Sequence, residues 1–258
     1  MLLSACKCAV LNCCCFSVPA ISSNIEYEIG QLKKIETPVI FILGIGEKTH
    51  KFHIQLTLRN YFLESGYKVS QVGSRNYCEL FGFHSMPEFM YSYSISESSK
   101  IILFNNFIKE LDILEKPDVI IIGIPGGIMP LNDVFTNKFG IMAYEISQAV
   151  TPDAAVFSIY FNNYQNEHFE RLITSIRYRL GIHIDFFNMA NIFFDWDRSR
   201  ETKRMQYLTV ESKLTDTRIK DYIDFHIPIY NILNDENSHK FSISVLNKLL
   251  EYGQRQYI

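Results

Sequence analysis

Three apolar runs fix most of what this chain can become. Residues 38–44 (PVIFILG), 117–124 (PDVIIIGI) and 154–161 (AAVFSIYF) are apolar at nearly every position, Asp118 and Ser158 aside, and are bounded by Pro, Gly or polar residues. A half-exposed strand alternates apolar with polar, whereas an uninterrupted run this short is covered on both faces. Between the runs lie helix-length segments. Residues 49–65 read as a helix with Thr49 as N-cap and Gly66 just beyond its end. Residues 96–115 read as a second helix, with Ile101, Ile102, Phe104, Ile108, Leu111 and Leu114 on its apolar positions, and 138–149 and 167–180 as two more, the latter stopped by Gly181. Residues 67–72 alternate and read as a further strand, the second in chain order, closed by Gly73, while 74–95 hold no period and read as a structured loop with short helical turns. Strand–helix alternation of this kind predicts an α/β fold, a mostly parallel sheet flanked by helices. The last eighty residues are less regular. There, 182–188 and 205–210 are expected as strands, 242–252 as a terminal helix, and the charged stretch from Asp195 to Arg204 as a solvated helix start around Trp196.

Composition enters through what it excludes. The 258 residues carry 25 basic and 28 acidic side chains, a net charge of −3, so no basic footprint for nucleic acid or an anionic membrane is expected. With 14% aromatic and 21% charged residues the chain is too apolar to be disordered. No apolar run reaches the ~20 residues of a spanning helix, and a cytoplasmic location is the expectation. Five of the six cysteines fall at Cys6, Cys8, Cys13, Cys14 and Cys15, with Cys78 apart. A lipidation box ending at Cys6 lacks the preceding basic and apolar regions. Paired CxxC metal spacing is absent, and a disulfide framework belongs to small exported chains. The thiols read best as small apolar side chains in a stub, residues 1–35, expected as the remnant of a longer N-terminal domain that ends in a polar helix-like stretch over 25–34. Residues 36–258 form the second expected unit.

The first strand ends in Gly44-Ile-Gly46-Glu-Lys-Thr49-His50-Lys51-Phe52 and opens a helix. Such a loop gathers backbone N–H groups and the helix dipole around an anion, with a Lys to neutralise it and a Ser or Thr to hold Mg²⁺. The spacing resembles the long loop G-x-x-x-x-x-G-K-T of dethiobiotin-synthetase-like P-loop proteins, with His50 in place of the second Gly and Phe52 in place of the metal-holding Thr. The run from Asp118 to Gly127 is similar to the D-x-x-x-x-E-G-x-G-G of those relatives, with Gly123 where the metal-serving Glu stands. The expectation is a degenerate P-loop-NTPase-like domain. ATP or GTP contacts are predicted at Gly44, Gly46, Thr49, Lys51, Gly126 and Gly127, with no metal ligand. Ser74 and Arg75 join them because they follow the second strand, at the sheet edge where open α/β folds bind ligands. The competing reading makes this a plain Gly-rich turn with Lys51 in solvent. Three further sets have weak spacing: His50 and His53 with Glu47 and His84 for a metal, Cys78 with His84 as nucleophile and base, and Asp185, Asp195 and Asp197 as an acidic cluster.

Several blocks together carry a family resemblance: 52–59 (FHIQLTLR), 66–75 (GYKVSQVGSR), 82–87 (GFHSMP), 117–127 (PDVIIIGIPGG), 136–140 (TNKFG), 145–150 (EISQAV) and 194–197 (FDWD). Over residues 36–215 the chain resembles the bacterial peptide maturation system proteins, which are encoded beside a radical-SAM maturase and a small precursor peptide. The resemblance implies an accessory role in maturing a ribosomally made, bacteriocin-like peptide, with the precursor peptide and the maturase as partners. Two functions stay open at this point. One is a non-catalytic accessory protein that holds a nucleotide in the Gly44–Lys51 loop, or a scaffold with no nucleotide at all. The other is an NTP-dependent peptide-modifying enzyme in which Asp185 or Asp197 carries the metal.

Overall fold

The computed structural model describes residues 31–255. The N-terminal cysteines and residues 25–30 of the expected helix-like stretch lie outside them; residues 31–36 carry no helix.

The apolar runs are the centre of the sheet. Strands β1 (Val39–Gly44), β2 (Val69–Gly73), β4 (Val119–Gly123), β5 (Ala154–Ile159) and β6 (Phe186–Met189) are joined at the edges by β3 (His84–Ser85) and β9 (Ile229–Tyr230). Together they make one seven-stranded sheet in the order β3-β2-β4-β1-β5-β6-β9, parallel at every pairing. β1 lies between β4 and β5, with Phe41 opposite Ile122 on one side and Ala155 on the other. All six of its residues are buried, as an unbroken apolar run requires.

Strand geometry sends alternate side chains to opposite faces, and each face has its own core. Val39, Phe41 and Leu43 pack with residues of α2 (Glu97–Glu115), α3 (Ile141–Ala149) and α4 (Asn166–Leu180). Ile40 and Ile42 pack with Ile54, Leu58 and Phe62 of α1 (Lys51–Glu64) and with Phe241 and Val245 of α7 (Asp235–Arg255). Beyond the sheet, β7 (Ile192–Phe194) and β8 (Tyr207–Thr209) form an antiparallel hairpin around α5 (Trp196–Thr202), and α6 (Ser212–Lys220) leads to β9. Among the described residues no helix is long and apolar enough to cross a membrane.

The helix ends follow local chemistry, with one correction. Ser96 caps α2 by accepting from Ser99 N, Asp195 caps α5 through Arg198 N, and Gly181 ends α4 with φ +70°. Gly66, φ +87°, ends α1 in a Schellman turn: its N–H bonds Leu63 O and the next N–H, Tyr67, reaches Phe62 O. The N-cap of α1, however, is His50 rather than Thr49. The Thr49 hydroxyl turns back into the loop and donates to Gly46 O at 3.2 Å. The expected helix over 138–149 starts at Ile141, because Asn137, Lys138, Phe139 and Gly140 all take positive φ and form a left-handed turn. Of the strand expected over 182–188, residues 182–185 are a lead-in with Ile182 and Ile184 buried and His183 exposed, and α7 starts seven residues before 242 on a polar turn that carries no apolar period.

Candidate functional site

The loop between β1 and α1 lies at the carboxyl edge of the sheet, beside the loops that follow β2 and β4. Its backbone needs left-handed φ at two places, and non-glycine residues supply both: Lys48 at 58° and His50 at 62°. Each costs about 1–2 kcal/mol relative to glycine. His50 therefore keeps the conformation that the replaced glycine would adopt freely, and the turn into α1 is preserved. The two glycines are needed for space. A Cβ on Gly44 would sit 2.6 Å from Thr49 Oγ1, and one on Gly46 would overlap the Tyr160 hydroxyl.

Three elements hold the loop in place. The Ser158 hydroxyl of β5 donates to Thr49 O and accepts from Asn188 Nδ2 of β6 at 2.7 Å. The Tyr160 hydroxyl donates to Glu47 O at 2.9 Å, and its ring stacks on Phe194 of the hairpin at 5.7 Å. Asn137, at the head of the left-handed turn, donates through Nδ2 to Ile45 O at 3.0 Å and to Met129 O at 2.9 Å. Lys48 lies over the Tyr207 ring, 4.8 Å from its centroid. Tyr160 and Asn137 stood outside the residues singled out from sequence. The alternation of Ser158 and Tyr160 at the end of a buried strand was the one available sign.

Lys51 is the centre of the site. It is 8% exposed, which overturns the reading of it as a solvated helix side chain. Its ammonium donates to Gly46 O at 2.8 Å and to Gly126 O, bridging the loops after β1 and β4. Burial pulls its pKa down to about 8; Glu47 opposes that shift and Arg75 adds to it. Its two acceptors are neutral carbonyls, so a positive charge is held in place without an anion bonded to it. Gly126, φ +68°, and Gly127, where a Cβ would be 2.6 Å from Ile45 O, bring the second loop against the first. Gly44, Gly46, Thr49, Lys51, Gly126 and Gly127 are thus brought together, and exposed Arg75 faces them from the loop after β2, next to half-buried Ser74. His50 is neutral at pH 7, because burial, with His53 beside it, lowers its pKa to about 4.

The other constellations separate. Asp185 accepts from Ala155 N at 2.9 Å and pairs with Lys248 at 2.9 Å, at the amino ends of β5 and β6. That is the edge opposite the loop, so it cannot serve a metal there. Asp197 is exposed on α5, and Asp195 is spent as that helix's N-cap. His84 bonds Glu115 at 2.5 Å, while Cys78 packs its sulfur under Gly73 with its thiol pKa pushed up by burial, so no nucleophile–base pair forms. Among the described residues no group of three His, Cys, Asp or Glu could hold a metal ion.

A parallel sheet covered on both faces, a glycine-bearing loop from its central strand into a helix, and a buried lysine at that helix's start define a P-loop-NTPase-like α/β protein. A solved structure shares the fold. A DUF1611-family protein from Anabaena variabilis superposes with a TM-score of 0.58 at 9% identity, over 84% of this chain and 61% of that one. The chain thus spans less than two thirds of that protein's length. More distant are cobyrinic acid a,c-diamide synthase from Mycobacterium smegmatis with bound ADP and magnesium (TM-score 0.44, 11% identity, 81% of this chain and 94% of that one) and a putative plasmid partition protein from Borrelia burgdorferi bound to AMPPNP (0.44, 13%, 84% and 99%). No protein-family model matches the chain, and no curated protein matches it in sequence. At these identities the likeness is one of fold.

Proposed function

We propose that the Gly44–Lys51 loop binds the phosphates of a nucleotide, ATP or GTP, without turning it over efficiently. We propose further that the chain acts as an accessory protein in maturing a ribosomally made, bacteriocin-like peptide. The observation that carries the first part is the Lys51 ammonium, buried between two carbonyls with no carboxylate bonded to it. A buried cation without an anionic partner is costly unless a ligand supplies the anion. A phosphate at the helix start would receive that charge, that of Arg75 and the free N–H groups of the loop. Weak turnover follows from Phe52 and Gly123, which offer no side-chain oxygen to the ion that phosphoryl transfer uses to spread charge. The second part rests on the resemblance of the sequence blocks quoted above to peptide maturation system proteins, and it names a precursor peptide and a radical-SAM maturase as partners.

The test takes ATP and GTP in turn, with purified protein and with Lys51→Ala. The expected outcome is saturable binding by the parent, no detectable hydrolysis, and a loss of affinity of roughly a hundredfold in the variant. Hydrolysis that disappears with Lys51 would replace this reading with an NTP-dependent modifying enzyme. Equal binding by parent and variant would remove the loop from the function altogether. The peptide role is tested first by looking for a short precursor gene beside this one, and then by fluorescence anisotropy with that peptide, with and without nucleotide; a locus without such a gene sinks it. Absence of binding in both conditions does so too.

A further inference from the structure

A magnesium ion is the group that a P-loop fold implies, and the residues present here do not fit it. It needs a hydroxyl at the start of the helix and a carboxylate at the end of the neighbouring strand. The helix position is Phe52, whose ring lies 5.6 Å from Phe81, 6.1 Å from Phe83 and 6.3 Å from Tyr77. This aromatic wall presents ring edges and faces where a metal's water shell would need oxygen.

The strand position is Gly123, and its side-chain space is already taken. A Cβ there would overlap the amide of Gln55. Gln55 is fully buried; it donates to Lys51 O at 3.3 Å and accepts from Gln71 Nε2 at 3.5 Å. The carboxylate is therefore more than missing: a neutral amide network occupies its place, next to the lysine. The charges that couple to Lys51 are Arg75 and, in the loop itself, Glu47, while the loop's other cation, Lys48, lies over the Tyr207 ring.

We infer that this loop takes its nucleotide as the metal-free anion, and that magnesium weakens binding. The inference rests on the phosphate reading above. In a metal-using loop the protein repays the ion with ligands. Here nothing repays it, and each charge that magnesium cancels on the phosphates is lost to Lys51 and Arg75.

The experiment is calorimetric titration of the full chain with ADP and with ATP at pH 7, once in EDTA and once in excess Mg²⁺. Binding is expected to be tighter in EDTA by roughly tenfold, and Arg75→Ala is expected to narrow that ratio by weakening the metal-free complex more. Arg75 is exposed, so its removal leaves the fold intact. Binding that requires or tightens with Mg²⁺ overturns the inference and leaves the phosphate reading standing. A ratio untouched by Arg75→Ala overturns its electrostatic basis. No binding in either condition overturns the phosphate reading, and this inference with it.

Discussion

Lys51 is where sequence position, burial and charge meet. A lysine at the first turn of a helix is ordinarily solvated, yet here the loops after β1 and β4 close over it. Its pKa of about 8 lies below its ordinary value of 10.5. Between these values the unfolded chain binds the proton and the folded chain does not, so stability rises with pH across that window and carries the full cost below it. The cost is on the order of 3 kcal/mol. Lys51→Met removes the titrating group. In urea unfolding, the ligand-free parent should gain stability relative to this variant as pH goes from 8 towards 10; parallel curves would show that the ammonium is not desolvated. On the proposed phosphate reading, this cost is offset when an anion reaches the ammonium.

At the scale of elements, the left-handed turn before α3 sets the shape of the site. Asn137, Lys138 and Phe139 hold φ values of 47°, 52° and 59°, a run that L-residues avoid. It persists because Asn137 ties the turn to Ile45 O and Met129 O, and because Gly140 lies against the Ile128 carbonyl with no room for a Cβ. Lys138 is exposed and carries the strain without packing to offset it. Lys138→Gly should therefore stabilise the protein by about 0.5–1 kcal/mol, whereas Lys138→Val should destabilise it by more than 1 kcal/mol. A midpoint that falls for the glycine variant would mean the turn is not left-handed. None of this is legible in the residues TNKFG, which read as an ordinary helix start. The strands at 39–44, 119–123 and 154–159 were legible, because burial on both faces writes itself into consecutive apolar residues. Gly66 and Gly181 were legible as helix ends, whereas Ser96 was legible only as the start of a helix and not as its cap. The edge strands β3 and β9 were not, since two residues carry no period. Gln55 filling the space at Gly123, and Tyr160 over Gly46, were also hidden. Each depends on a partner far away in sequence, and the sequence at either end looks ordinary.

At the scale of the sheet, two cores lie on its opposite faces and meet through its strands, with β4, β1 and β5 at the centre. Ile40, Ile42 and Val156 serve one face, and Val39, Phe41, Leu43 and Phe157 the other. Opening these strands breaks both cores, whereas the β7–β8 hairpin rests on one aromatic cluster around Tyr160 and Phe194. Amide hydrogen exchange should accordingly show β1, β4 and β5 exchanging only with global unfolding, and β8 exchanging through a local opening. Equal protection across both regions would contradict this. The strand order has a consequence for synthesis. β1 is the first strand made among the described residues, yet its neighbours begin at residues 119 and 154. Until the ribosome has delivered both, an apolar segment with two open edges waits in the nascent chain, which is a slow, aggregation-prone stage. A chaperone that shields VIFIL through that interval should raise the yield of native protein more than any change made to the finished fold.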